Sequence, residues 1–174
     1  LTLNGGPHVY AQTSLVLATA SAAHAKAVSF ANMHSNMVSR IAVGDPRTTS
    51  LGKLTKELLS RLDLDPAPPS RYLYGKHDEV ITLVKSGEAD VGVMYRVDVA
   101  ATPALRIVDR APASIRSPVL FAGAVVWTCG HASCSLAREF MAFLERPPAQ
   151  AILQKHGFDP VSEDNAVHAK KDTR

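Results

Sequence analysis

The chain has no stretch of about twenty apolar residues, so no part of it has the length of a transmembrane helix. It also lacks the short signatures from which catalysis is read: G-x-S-x-G, H-E-x-x-H, a Walker loop and G-x-G-x-x-G are all missing, which disfavours an enzyme and leaves no catalytic residue to name. His8, His24, His34 and His168 form no recognisable spacing. Excess positive charge is missing too. Nineteen Lys and Arg stand against sixteen Asp and Glu, a formal net charge of +3. No basic cluster is interleaved with aromatics, so the balance does not argue for nucleic acid, and Lys170 and Lys171 fall in a polar tail expected to be disordered. There are two cysteines, Cys129 and Cys134, with His131 between them. That set is thin for a metal site and leaves a loop disulfide and two free thiols both open. No internal repeat is present, and the low-complexity content is a proline-rich connector at residues 65–69.

What is present is ordinary for a soluble globular protein: 174 residues, 46% apolar and 20% charged, enough for one well-cored domain or two small lobes. Residues 14–25 (SLVLATASAAHA) have a short apolar run before small residues, as at a signal-peptide cleavage site. The thirteen residues before them contain no Lys or Arg, so residues 13–18 read as a buried strand and the chain carries no address of its own.

The most informative stretch starts at Arg40. Residues 40–43 read as a buried strand ended by Gly44-Asp45-Pro46. A helix follows at residues 51–62, with Leu51, Leu54, Leu58, Leu59 and Leu62 on one face. After the proline-rich connector the spacing predicts a second helix at 76–86. Asp78 and Glu79 sit in its first turn, Lys85 in its last, and Gly87 follows at C′. Strands are predicted at 91–95, 105–108 and 119–127, and helices at 133–144 and 148–156, the last closed by Gly157. This is a βαβ-type grammar, in which each strand-to-helix turn aims backbone N–H groups beyond the sheet edge.

Three places could hold an anion. Thr48-Thr49-Ser50-Leu51-Gly52 opens a helix whose first N–H groups have no intrahelical partner; an N-cap by Thr49 or Ser50 is the plainer reading. His77 opens the second helix and reads either as a solvated first-turn residue or as a ligand. If protonated it would strengthen an oxyanion site, and that gain would fade as pH rises through about 6.5, where histidine ordinarily titrates. Tyr95 ends a buried strand at the edge where α/β proteins bind ligands, and reads either as a core aromatic or as a hydroxyl donor. Arg96 and Asp98 read as cleft-rim or hinge residues.

The GDP and T-x-S-x-G-like run at residues 44–52, LVKSGEADVGVMYRVD at 83–98 and PPAQAILQKHGF at 147–158 together resemble the periplasmic molybdate-binding proteins of bacterial ABC importers, within the solute-binding protein superfamily. The likeness runs over residues 10–160. It implies a periplasmic-binding-protein-like (type II) α/β fold, with an N-terminal remnant and hinge strand of lobe 1 at 1–39, a second α/β lobe at 40–116, a return crossing strand and C-terminal helices at 117–160 and a disordered tail at 161–174. Nothing before Tyr10 matches the hydroxyl-bearing opening of the first lobe, so the first lobe is expected to be incomplete and this piece alone to bind molybdate weakly. The apolar faces of the C-terminal helices (Leu136, Phe140, Phe143, Ile152 and Leu153) are then expected to lack part of their partner, leaving an exposed apolar surface or driving oligomerisation. The resemblance further implies that Ser50, Leu51, His77 and Tyr95 bind the ligand, Leu51 and His77 through backbone N–H groups. His77 stands where the family usually has a small apolar residue. The ligand would be molybdate or a similar tetrahedral oxyanion (tungstate, sulfate), with no cofactor and no protein-bound metal cation. The partner would be a membrane permease, with no nucleic acid and no membrane insertion. The location would be periplasmic, or extracellular by a lipid anchor. A ligand-sensing regulatory domain on the same fold is the alternative.

Overall fold

The computed structural model describes residues 6–23, 28–64, 69–112 and 118–161. His24, His168, Lys170, Lys171, most of the connector at 65–69 and nearly all of the expected tail at 161–174 lie outside them. The chain divides into two compact units: Ser14–Pro118, and Leu1–Thr13 with Val119–Arg174.

The first of these holds a mixed sheet of five strands: β2 (Leu15–Ala20), β3 (Ile41–Gly44), β4 (Tyr72–Gly75), β5 (Val91–Tyr95) and β6 (Leu105–Arg110), in the order β4-β3-β5-β2-β6. β3 runs parallel to both β4 and β5, while β2 is antiparallel to β5 and β6. Strands covered on both faces need unbroken apolar runs, which is what Ile41-Ala42-Val43 and Val91-Gly92-Val93-Met94 supply. Neighbouring residues point to opposite faces. Helix α1 (Ser50–Arg61) packs on β3, and its Thr55 and Leu59 line a cavity together with Val43, Tyr72 and Tyr74. Helix α2 (His77–Lys85) packs on the Gly92 face, where a Cβ on Gly92 would lie 2.6 Å from the Val84 Cγ2. The two helices therefore cover opposite faces, as two right-handed crossovers leaving in opposite directions require.

Leu51, Leu58 and Leu59 of α1 are buried and Leu54 and Leu62 partly so, as their spacing predicts; Thr55 joins them, its hydroxyl donating to the Leu51 carbonyl at 2.7 Å. Gly87 ends α2 at φ 77°, the left-handed conformation expected of it. Among the elements of this sheet and its helices that were not anticipated from sequence are the edge strand β4, where a plain connector was expected between the helices, and the short helix α3 (Arg96–Ala101) directly after Tyr95. β2 starts at Leu15, two residues later than expected. It lies in this unit's sheet, as do the core residues Phe30, Met33 and Val38. The segment 1–39, expected to go with lobe 1, is thus divided by its contacts at Ser14.

In the other unit, β1 (His8–Thr13) pairs antiparallel with β7 (Val119–Gly123). β7 is shorter than the strand expected at 119–127, and Val126 and Trp127 beyond it are exposed. Helices α4 (His131–Leu144) and α5 (Pro147–Lys155) follow. Phe158 packs edge-on against Phe121 at 5.1 Å, and the Gln150 side chain donates to the carbonyls of Tyr10 and Leu144. Cys129 and Cys134 form a disulfide.

Candidate functional site

Because β4, β3 and β5 are parallel neighbours, their C-terminal residues Gly75, Gly44 and Tyr95 arrive at one edge of the sheet. Each hands the chain to a helix, so the starts of α1, α2 and α3 cluster there. This is the edge where open α/β sheets take their ligands.

Asp45 organises the turn into α1. Its N–H donates to the Gly75 carbonyl at 3.1 Å, and its own carbonyl accepts the N–H groups of Thr48 and Thr49 and the Thr49 hydroxyl. Its carboxylate accepts the Arg47 N–H at 2.8 Å and pairs with the Arg47 guanidinium, which holds the carboxyl below the usual range. Thr49 is the N-cap, its hydroxyl accepting from the Gly52 N–H at 3.0 Å, and the Lys53 N–H goes to the Thr49 carbonyl. Among the described residues these bonds account for every N–H of the turn except those of Ser50 and Leu51. The helix start presses tightly on the strand end: a Cβ on Gly52 would sit 2.4 Å from the Gly44 oxygen, and one on Gly44 2.5 Å from the Gly52 nitrogen. Ser50 is exposed, whereas the Leu51 side chain is buried, so Leu51 has only its backbone N–H to offer at this edge.

The turn into α2 is shorter. Glu79 reaches back to accept the Lys76 N–H at 2.7 Å, and the Val80 N–H bonds the Lys76 carbonyl. His77, Asp78 and Glu79 are the first three helical residues, whose N–H groups have no carbonyl behind them. The His77 ring turns toward α3: its Nε2 donates to the Asp98 carboxylate at 2.6 Å, and its Nδ1 lies 3.5 Å from the Asp78 carboxylate. The ring also packs against that of Tyr95, centroids 5.6 Å apart. Tyr95 ends β5 and occupies the N-cap of α3. Burial, and secondarily the negative charge of Asp98, push its pKa up, so the hydroxyl stays a protonated donor.

Ser50, Leu51, His77 and Tyr95 thus come to one sheet edge. The pairing of His77 with Asp98 was not legible in the sequence: Asp98 read as a rim or hinge residue, twenty-one positions away, on a helix not anticipated. A cavity of about 270 Å³ lies on the flank of α1, lined by Val43, Gly44, Gly52, Thr55, Tyr72 and Tyr74 among others; Leu51, His77 and Tyr95 do not line it. Among the described residues no group of three or more His, Cys, Asp or Glu is placed to hold a metal ion, and no helix is long and apolar enough to cross a membrane. The edge offers N–H and O–H donors around a helix start that carries no acidic residue in its first turn, an arrangement suited to an anion.

The bacterial extracellular solute-binding protein model matches residues 1–159. A substrate-binding lipoprotein assigned to an ABC transporter in Bacillus subtilis is 31% identical over 131 residues, 75% of this chain and 49% of that protein. The molybdate-binding protein ModA of Haemophilus influenzae is 30% identical over 121 residues, 69% of this chain and 46% of that one. The chain spans about half the length of the curated relatives it matches. Among solved structures, the Azotobacter vinelandii periplasmic molybdate-binding protein superimposes with a TM-score of 0.72 at 21% identity, over 92% of this chain and 71% of that chain. The architecture is accordingly that of the periplasmic binding proteins, and the chain belongs to the bacterial extracellular solute-binding protein family.

Proposed function

We propose that this chain is part of the solute-binding component of an ABC importer, and that it captures molybdate or a similar tetrahedral oxyanion such as tungstate or sulfate. What supports the reading is that the start of α1 with Ser50 and Leu51, the start of α2 with His77 and the end of β5 with Tyr95 all lie at one sheet edge. Four donors from three separate elements make a polar cradle without a lysine or arginine among them. Such a cradle binds by hydrogen-bond geometry, and selection among tetrahedral anions then falls to cavity size. The names of the relatives supply the ligand class, and the disulfide fits an oxidising, extracytoplasmic compartment.

In this mechanism the anion exchanges its hydration shell for fixed donors when two lobes close over it. Each hydrogen bond to the charged ligand contributes about 1.5–3 kcal/mol once water is excluded. The unit Ser14–Pro118, which carries the donors, acts as one lobe. The loaded protein delivers its ion to a membrane permease. No bond is made or broken, and no cofactor is needed. Titration calorimetry of the full-length protein with molybdate, tungstate and sulfate tests the reading: tight, one-to-one binding of at least one of them is expected, and heat from none would overturn it.

A further inference from the structure

We propose that His77 makes this site sensitive to pH, its imidazole and the Asp98 carboxylate forming a charge pair that ties retention of a doubly charged oxyanion to pH. The proposal rests on the oxyanion reading above and deepens it.

Asp98, Asp78 and Tyr95 face the imidazole among the described residues. From α3, Asp98 holds Nε2 at 2.6 Å, with its side chain only 15% exposed. From α2, Asp78 lies 3.5 Å from Nδ1, but its side chain is 97% exposed and water screens it. From β5, the Tyr95 ring packs on the imidazole, and its hydroxyl remains protonated. Asp98 is therefore the charge that matters beside the ligand donors, and its influence already reaches the Tyr95 hydroxyl. With the imidazole protonated, the His77–Asp98 pair is neutral as a whole. With the imidazole neutral, the pair carries one negative charge next to the donors meant for a dianion. The His77 side chain is 43% exposed and so in contact with solvent. Because the same residue offers its backbone N–H to the ligand from the first position of α2, the charge changes within one residue of the contact. Rising pH thus uncovers a repulsive carboxylate at the rim, and falling pH covers it.

The test is calorimetry of molybdate binding to the full-length protein at about pH 6 and about pH 8, on either side of the range in which histidine ordinarily titrates. Molybdate stays a dianion between them. The wild type should lose about tenfold in affinity across that interval, the effect of one unit charge near a dianion in a partly exposed site. His77→Val should bind weakly and equally at both values, because Asp98 is then never compensated. Adding Asp98→Asn to it should restore affinity while leaving the profile flat. His77→Gln, which keeps a neutral donor toward Asp98, serves as a second variant should the valine fail to fold, and it too should be flat. A wild-type profile without slope, or a slope that survives in the His77 variants, would overturn the proposal while leaving the oxyanion reading intact. Absence of binding of molybdate, tungstate and sulfate at both values would overturn that reading and this proposal with it.

Discussion

In the unit Ser14–Pro118, apolar residues from Leu15 to Ala111 form one continuous buried cluster, with Leu17, Ile41 and Val93 fully inaccessible. In the unit made of Leu1–Thr13 and Val119–Arg174, the buried apolar residues among those described are Ala11 and Ala149. Leu136, Phe140 and Phe143, one stripe of α4 at i, i+4 and i+7, stand open to solvent together with Ile152. Both units pair strands with helices, yet among the described residues only the first closes a core. A sheet with a helix on each face buries both of its surfaces, whereas a two-stranded ribbon with two helices cannot cover the apolar stripe that α4 presents. The candidate ligand edge belongs entirely to the unit that supports itself, so its donors are held by a packed scaffold.

Core truncation gives the widest contrast. Leu17→Ala is expected to cost about 3 kcal/mol in urea unfolding, whereas Phe140→Ala on the open face of α4 should change stability by no more than about 0.5 kcal/mol. Equal losses would mean that α4 is covered in solution. A smaller effect, sharper in location, is expected at the ligand edge. Gly52→Ala drives a Cβ into the backbone of Gly44 and Asp45, costing about 1–3 kcal/mol by overpacking and displacing the Leu51 N–H. Oxyanion affinity should fall with it; unchanged binding would detach the α1 start from the site.

Tyr95→Phe should leave the unfolding curve in place and weaken oxyanion binding by about tenfold, the value of one hydrogen bond to a charged ligand. An unaltered affinity would return Tyr95 to the role of a core aromatic. The smallest effect concerns its ionisation. The folded-state pKa of Tyr95 is raised, so the folded protein keeps the phenol proton longer than the unfolded chain, and stability should begin to fall as pH climbs past the ordinary tyrosine value of about 10. An ultraviolet phenolate titration should show a late-ionising component that vanishes in Tyr95→Phe.

What the sequence disclosed and what it hid follow the same division between local and distant causes. The leucine stripe of α1, the dipole-matched ends of α2, Gly87 in its left-handed turn and the apolar run of β5 were all legible because each is written within a dozen residues. Leu51 and Tyr95 could be singled out by the same token, one at a helix start and one at a strand end. β4 was not legible: Tyr72–Gly75 is four residues long, follows a proline-rich connector, and becomes a strand only by pairing with Ile41–Gly44 some thirty positions earlier. The contacts of β2 with β5 and β6 are longer in range still, which is why the N-terminal segment read as belonging elsewhere. The cysteine spacing left a disulfide and free thiols both open, and only geometry decided between them. His77 was visible as a helix-start residue, but no local pattern points from it to Asp98.

We infer that the donors where β3, β4 and β5 end hold one oxyanion. The most direct test is an anomalous difference map from crystals of the full-length protein grown with tungstate, whose heavy atom marks its own position. A single peak is expected, with oxygens roughly 2.7–3.2 Å from the backbone nitrogens of Leu51 and His77 and from the Tyr95 hydroxyl. A peak seated away from that edge, with Tyr95 out of reach, would contradict it.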